Sequence, residues 1–276
     1  MRALSFVVVA VLAGCNNAKP FFSSDIGVQA VPIDPGAAAG TFALKTVNAE
    51  VVHLPAGLGD KQGGGVNYRL VTRTYDTAND VYEQVSVVCG GYNYEVAGVT
   101  TSVPAASYLE LAPSPKETVA IDATGKYAGR GHLQLWGLQN LPDPYKTPLP
   151  TSKDEAAVAP WTDRIFDMDK DNNPGITLFV SGLITGQVYA FQRKTVDTDG
   201  VSLSPDHFVG LAHNTNEALT IGADNPLVDR QSEGSAEPNP DPKQSYFEEA
   251  RLKDGATCDD VNSAEDDGIL KTSRPF

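Results

Sequence analysis

Residues 66–75 (VNYRLVTRTY) and 81–89 (VYEQVSVVC) decide the fold class, because both alternate β-branched or aromatic residues with polar ones. A period of two is typical of β-strands, in which successive side chains point to opposite faces. Turn-forming residues, Thr77-Ala78-Asn79-Asp80, lie between the two segments. A connection this short predicts that the two strands are antiparallel neighbours.

The same pattern continues on both sides of this pair, at residues 42–54 and 92–103. A second group of strands is predicted at residues 132–136, 176–181, 187–196, 207–212, 218–221 and 246–252. We find no amphipathic helix longer than about two turns. The sequence therefore predicts a mainly β, single-domain protein, either an antiparallel barrel of the lipocalin-like kind or a β-sandwich.

A proline-rich insertion covers residues 139–163 and separates the two groups of strands. Its prolines are Pro142, Pro144, Pro148, Pro150 and Pro160. Proline cannot donate to a strand ladder, so this stretch is predicted to be an excursion, with one helical turn at residues 153–158 capped by Ser152. A division into two β modules near residues 140–165 is the alternative. Residues 231–243, also rich in proline, are predicted to form a surface loop.

The N-terminus has the layout of a secretory signal. Arg2 precedes an apolar run at residues 4–13, which is too short to span a bilayer as a helix. The run ends in Leu12-Ala13-Gly14-Cys15, which resembles the lipobox of bacterial lipoproteins. The resemblance implies removal of residues 1–14 and acylation of Cys15, which would anchor the protein to a membrane.

The alternative is an ordinary secreted protein that is cut after Ala10 or Ala13 and keeps Cys15 as a free thiol. In the enterobacterial version of the family, an aspartate after the cysteine retains the protein in the inner membrane, whereas this chain has Asn16. The resemblance thus implies a lipid-anchored protein of the cell envelope, at the outer membrane. Residues 15–40 are predicted to be the lipidated cysteine and a flexible tether, and residues 41–276 the β domain.

Charge restricts the possible partners. The chain has a formal net charge of −14. An acidic surface repels phosphate backbones and anionic headgroups, so nucleic acid is excluded as a partner and membrane attachment depends on the lipid.

Two cysteines remain once Cys15 is assigned to lipid, namely Cys89 and Cys258. In an oxidising compartment such a pair predicts one disulfide, which would join the C-terminal region to an early strand. The alternative is two unpaired buried thiols.

The strongest chemical pattern is a run of alternating carboxylates at Asp167, Asp169 and Asp171, followed by Asn173. A tight loop can direct these oxygens, with the backbone carbonyl of Asn173, toward one centre. Hard oxygen donors at this density are the ligands that Ca²⁺ prefers. The sequence therefore predicts a calcium site here.

The run is similar to the first half of an EF-hand loop, but the sixth position is Asn172 rather than glycine and the twelfth is Leu178 rather than glutamate. It more nearly resembles the shortened aspartate loops of extracellular calcium modules such as thrombospondin type 3 repeats and dockerins. The alternative is a solvated acidic turn that leads into the strand at Ile176.

Catalytic motifs are missing from the sequence: it contains no G-x-S-x-G, H-E-x-x-H or P-loop pattern. Asp206 and His207, with His213 nearby, form one acid and histidine cluster, but neighbours on a strand point to opposite faces. We therefore predict a non-enzymatic envelope lipoprotein, possessing a β scaffold for a partner protein, a glycan or a small apolar ligand. An envelope hydrolase of the glycosidase kind, using paired carboxylates, is the alternative.

Overall fold

The computed structural model describes residues 26–54, 59–231 and 235–276, which form one domain built on a single antiparallel sheet of 11 strands. The strands are β1 (Gly40–Leu54), β2 (Gly59–Asp76), β3 (Val81–Asn93), β4 (Val99–Ser102), β5 (Glu117–Ile121), β6 (Lys126–Trp136), β7 (Ile176–Gly182), β8 (Gly186–Ser204), β9 (His207–Ala223), β10 (Ser235–Pro238) and β11 (Tyr246–Arg251). The helices are α1 (Ala105–Leu109), α2 (Lys153–Ala156), α3 (Trp161–Arg164), α4 (Pro226–Gln231) and α5 (Cys258–Asn262), with a 3₁₀ turn at Pro242–Gln244. The mainly β, single-domain prediction is confirmed.

Eight of the strands close into a ring. Their order is β8, β6, β5, β3, β2, β1, β11 and β9, and β9 then pairs with β8. The ring is closed in its lower part, where β11 joins β9 to β1, and such closure distinguishes a barrel from two stacked sheets. Of the two predicted architectures, the barrel is therefore the one that the chain adopts.

We call the end of the barrel that contains the β1–β2 connection the upper end. Here the wall of the barrel is extended by β7 and β4. Ala190 of β8 pairs with Ile176 of β7, two residues from the place where Gln192 of β8 pairs with Trp136 at the end of β6. β7 therefore continues the wall where β6 stops, and β4 pairs with the outer edge of β7. β10 adds to the upper part of β1 in the same way.

Residues 26–40, all of which were predicted to belong to a flexible tether, pack against the lower part of the barrel and close its lower end. Ile33 and Ala38 are buried in the same cluster as Phe42 at the start of β1. The main chain of Val31 bonds to β8, its N–H donating to the carbonyl of Ser202 at 2.9 Å. Apolar residues in this proline- and glycine-rich stretch thus cover the barrel end, and this part of the segment is not a free coil.

Charged side chains lie inside the lower barrel. Arg73 of β2 has 1% exposure, and its Nη2 donates to Glu249 Oε1 of β11 at 2.5 Å and to the Tyr127 hydroxyl at 3.2 Å. Its Nε donates to Gln84 Oε1 at 3.1 Å, and its guanidinium carbon is 4.8 Å from the centre of the Phe42 ring. Because a buried charge is costly unless it is paired and hydrogen-bonded, these contacts explain how the barrel holds it.

The predicted disulfide is present in the structure, between Cys89 of β3 and Cys258 of α5. It ties the C-terminal segment to the outside of the barrel, where Val261, Ala264 and Leu270 cover the outward side chains of β1 and β2. The outer face of these strands is therefore buried as well.

Two details of the connections can be compared with the sequence. The helical turn predicted after Ser152 is α2, and the Ser152 hydroxyl accepts from the N–H of Glu155 at 3.2 Å. The surface loop predicted at residues 231–243 is partly wrong, because β10 lies within it and pairs with β1. Within the described part of the chain, every helix is too short or too polar to cross a membrane.

Candidate functional site: an upper barrel cavity and an acidic loop

A cavity of about 540 Å³ occupies the upper end of the barrel. Apolar side chains from many strands form its upper walls, among them Val52, Tyr92, Trp136, Ile176, Leu178 and Val188. Trp136 is buried and packs edge to face against Tyr108, with ring centres 5.3 Å apart. The volume lies within the range of about 300–1,000 Å³ that is typical of small-molecule sites.

Polar side chains form the bottom of this cavity. Gln134 of β6, Lys194 of β8 and Asn216 of β9 lie side by side in the pairing register, so they share one inward face. The Gln134 amide reaches across the barrel to Asn67 of β2, with an Nε2 to Oδ1 distance of 3.4 Å. We call these four residues the cavity floor. The cavity is thus apolar above and polar below.

Lys194 is the cation of the floor. Within the described part of the chain, its ammonium makes no hydrogen bond or ion pair, and the one acidic side chain that lines the cavity is Glu50. Burial lowers the pKa of Lys194 to about 8, with a further decrease from the nearby charge of Arg69 and an opposing increase from Glu50. The amine is therefore still mainly protonated at pH 7.

A second layer of polar groups lies directly beneath the floor. Arg69, two residues below Asn67 on β2, has no exposed surface, and its Nε and Nη2 lack hydrogen-bond partners among the described residues. Asn214, two residues from Asn216 on β9, has both amide atoms enclosed and without partners there. Unsatisfied buried groups of this kind are costly and call for a water or a ligand.

The cavity opens along one edge of β9. β11 pairs with β9 only from His207 to Leu211, and among the described strands the remainder of β9 pairs with β8 alone. Leu183 lines the cavity and is also exposed, so it adds an apolar group to the rim. A small molecule could enter here without disrupting the closed lower barrel.

The acidic loop precedes β7. Asp167, Asp169 and Asp171 each place one carboxylate oxygen within 4.8 Å of the others. The loop is held by its own main chain, because Asp171 N–H and Asn172 N–H donate to the Asp167 carboxylate at 3.1 and 2.8 Å. The predicted ligand Asn173 donates its N–H to Asp171 Oδ1 at 2.8 Å. The structure therefore brings the three predicted aspartates together.

The electrostatics of the three aspartates differ. Burial raises the pKa of Asp169, with smaller increases from Asp171 and Asp167. Partial burial opposes the shift at Asp171, but hydrogen bonds from Thr177 and Asn173 hold the pKa of its carboxyl below the usual value. Asp169 Oδ1 is enclosed and has no partner among the described residues.

The neighbouring cation does not neutralise this cluster, because Lys170 Nζ bonds to Glu110 Oε1 at 2.6 Å instead. The loop also connects to the cavity wall through Thr177 of β7. Its N–H donates to Asp169 Oδ2 at 2.8 Å and its hydroxyl to Asp171 Oδ2 at 2.5 Å. The acidic loop thus fixes the strand that supplies Ile176 and Leu178 to the cavity.

The histidine cluster does not form a catalytic arrangement. Asp206 pairs with Arg251, and His207 Nε2 instead meets Glu248 Oε1 at 2.9 Å. His213 lies 3.4 Å from Asp199. Asp206 lies in the turn before β9 and does not orient His207.

Cys15 and the residues of the predicted signal lie outside the described part of the chain. Comparison of the chain with protein-family models, with curated proteins and with solved structures found no match.

Sequence reasoning missed the polar residues of the cavity floor. Lys194 stands in the polar run Gln192-Arg193-Lys194-Thr195, which is typical of a solvent-exposed strand. A signal was nevertheless present, because Arg193 and Lys194 must point to opposite faces and the strand lies in a predicted barrel. One of the two basic residues therefore had to point inward.

Proposed function

We propose that this protein binds a small amphipathic molecule in the upper barrel cavity and does so as a non-enzymatic lipoprotein of the cell envelope. The observation that carries the binding function is the cavity itself, with apolar walls above and a polar floor below. A ligand with a polar head and an apolar body would match both surfaces. The scaffold for a partner protein or a glycan, also expected from the sequence, has no comparable site to support it.

The cavity is tested with N-phenyl-1-naphthylamine, an uncharged fluorophore that brightens in apolar surroundings. We expect saturable binding at one site, with energy transfer from Trp136. Ala218→Phe places a ring in the cavity opening and should weaken binding at least tenfold. Ala78→Phe, in the exposed β2–β3 turn, is the matched control and should bind as the native chain does. Equal binding by both variants, or none by the native chain, would contradict the proposal.

A carboxylate-based hydrolase is less well supported by the same cavity. A glycosidase needs two carboxyl groups that flank the bond to be cleaved, about 5–10 Å apart. Among the described residues, Glu50 alone brings a carboxylate to the cavity lining, and the amide of Asn48 donates to it. The arrangement therefore favours binding over glycoside hydrolysis.

We also propose that the acidic loop binds Ca²⁺. Three carboxylates that converge without a neutralising cation repel one another, and the enclosed Asp169 Oδ1 has no described partner. Asp167, Asp169 and Asp171 would supply oxygens, with the carbonyl of Asn173 and water to complete the shell. Bound calcium would steady β7 and hence the cavity wall.

Melting with and without metal tests the calcium site. We expect the unfolding midpoint to rise in about 1 mM CaCl₂ relative to EGTA, because extracellular calcium modules bind at about 10⁻⁴ to 10⁻³ M. Asp169→Asn should abolish the response, whereas Asp163→Asn, on α3 outside the cluster, should retain it. A native midpoint that is identical in CaCl₂ and EGTA would remove the site.

A further inference from the structure

We propose that the head group bound at the cavity floor is a carboxylate, held by the ammonium of Lys194, while an alkyl chain lies between the apolar walls above. This inference rests on the proposed binding function and specifies the chemistry of its ligand. It concerns a fatty-acid-like amphiphile rather than a neutral or cationic one.

The first support is the unmet bonding capacity of Lys194. An ammonium offers three donors, and this one lines the cavity and finds no hydrogen bond or ion pair with the described residues. Removing a charge from water is costly unless it is paired. A carboxylate at the floor would supply the partner, and hydrogen bonds between two charged groups are the strong ones.

The second support is the layer beneath the floor. Arg69 adds a further positive charge within electrostatic range of Lys194, and its Nε and Nη2 have no described partner. The side-chain amide of Asn214 is also buried and has no described hydrogen-bond partner. These donors lie under the floor and favour an anionic head above them, directly or through water.

The remaining charges near the floor were compared strand by strand. β1 contributes Glu50, whose carboxylate already accepts from Asn48. β5 contributes Glu117, and burial raises its pKa to about 7, so about half of this carboxyl is neutral at pH 7. β6 contributes His132, whose pKa burial lowers well below 6.5, so the ring is neutral. Together with Lys194 and Arg69, these groups leave an excess of positive charge at the floor.

The apolar walls explain why the ligand would have an alkyl chain. Leu178 and Val188 face the same space as Trp136, above the floor and below the exposed rim. A free small carboxylate would gain nothing from these walls, whereas each methylene removed from water contributes about 0.8 kcal/mol.

The experiment compares three ligands of one chain length, dodecanoate, dodecanol and dodecylammonium, by their displacement of N-phenyl-1-naphthylamine at pH 7. We expect dodecanoate to displace it at the lowest concentration. Lys194→Met should weaken dodecanoate about ten- to hundredfold and leave dodecanol within about twofold, because only the charged hydrogen bond is lost. Lys194→Arg, which keeps the charge, should retain most of the preference. Lys146→Met, at an exposed position outside the cavity, is the control.

The pH profile gives an independent readout. Because the amine must carry a proton to hold the carboxylate, dodecanoate affinity should fall above about pH 8 in the native chain, while dodecanol affinity should stay flat. Equal affinity for dodecanoate and dodecanol would overturn the inference, as would tightest binding of dodecylammonium, which would assign the floor to Glu50. Failure of all three ligands and of the fluorophore would instead reject the proposed binding function.

Discussion

Arg73 and Glu249 show how a single pair of residues can specify the interior of this barrel. Both side chains have no exposed surface, and both also contact Tyr127. Burial raises the pKa of Glu249, and the Arg73 charge with the Tyr127 hydrogen bond opposes that rise. The pair therefore fixes which faces of β2 and β11 point inward.

Removing one member of this pair should be far more harmful than removing both. We expect Arg73→Met to lower the free energy of unfolding by about 3–5 kcal/mol, because it leaves the Glu249 carboxylate buried without its cation. Arg73→Met combined with Glu249→Leu should recover much of that loss. Urea unfolding measures both values, and a double variant less stable than the single one would contradict the explanation.

Glu117 gives the protein a definite pH dependence. Burial raises the pKa of its carboxyl to about 7 in the folded chain, against 4.5 when exposed, so the folded state favours the protonated form. The protonated Glu117 carboxyl therefore makes its full contribution to the free energy of unfolding below pH 4.5. That contribution is lost as the pH rises through 7, which lowers the free energy of unfolding by about 3 kcal/mol. We expect the free energy of unfolding of Glu117→Gln not to fall in this way, because glutamine does not titrate.

The measurement is the free energy of unfolding from pH 4.5 to 8 for the native chain and for the variant. The free energy of unfolding of Glu117→Gln, minus that of the native chain, should increase up to about pH 7 and then stay constant. Glu95→Gln, at an exposed position, is the control and should follow the native curve. A constant gap across the whole range would show that Glu117 is ionised throughout.

At the scale of the elements, the sequence predicted most strands but not their inward faces. The alternation in β2 shows clearly that Arg69 and Leu70 point to opposite sides, yet the buried side proved to carry the arginine. Leu70 lies outside, under the C-terminal segment. Since both faces are covered, hydrophobicity could not indicate which one is the interior.

Elements that depend on distant partners were the ones missed. β10 exists because residues 235–238 pair with β1, almost two hundred positions away, and its sequence SAEP has no strand pattern of its own. The cavity was missed for the same reason, since its lining combines nearly all the strands. The aspartate cluster was found because its three members are neighbours in the sequence.

The disulfide fixes α5 and the C-terminal segment to β3, and its loss should destabilise the whole domain. Its ends are 169 positions apart, so loop-closure entropy gives an upper value of about 5 kcal/mol. We expect dithiothreitol to lower the unfolding midpoint by about 10 °C.

The control uses Cys89→Ser with Cys258→Ser in a chain that lacks Cys15. This variant should have the same unfolding midpoint as the reduced parent, which is the chain that lacks Cys15 but keeps Cys89 and Cys258. Dithiothreitol should not change the midpoint of the variant. A midpoint that reduction leaves unchanged in the parent would mean that packing of Val261 and Leu270 alone retains the segment.

At the scale of the whole molecule, the proposed location in the cell envelope depends on Cys15. If the lipobox is functional, cells given radiolabelled palmitate should label the native protein, and Cys15→Ala should remove the label and release the protein from the membrane fraction. The double variant Cys89→Ser, Cys258→Ser is the control and should stay labelled. Labelling that persists in Cys15→Ala would refute the proposed anchor.

The packing of residues 26–40 against the barrel limits how far such an anchored domain could lie from the membrane. Residues 33–39 pack into the lower end, whereas Ile26 lies on the outer face of β8 and β9, against Val201, Val209 and Leu211. Ten residues lie between Cys15 and Ile26, and the eleven Cα–Cα steps that join the two span at most about 40 Å. A barrel anchored through Cys15 would therefore stay within about 40 Å of the bilayer, a shorter reach than a free tether up to Gly40 would allow.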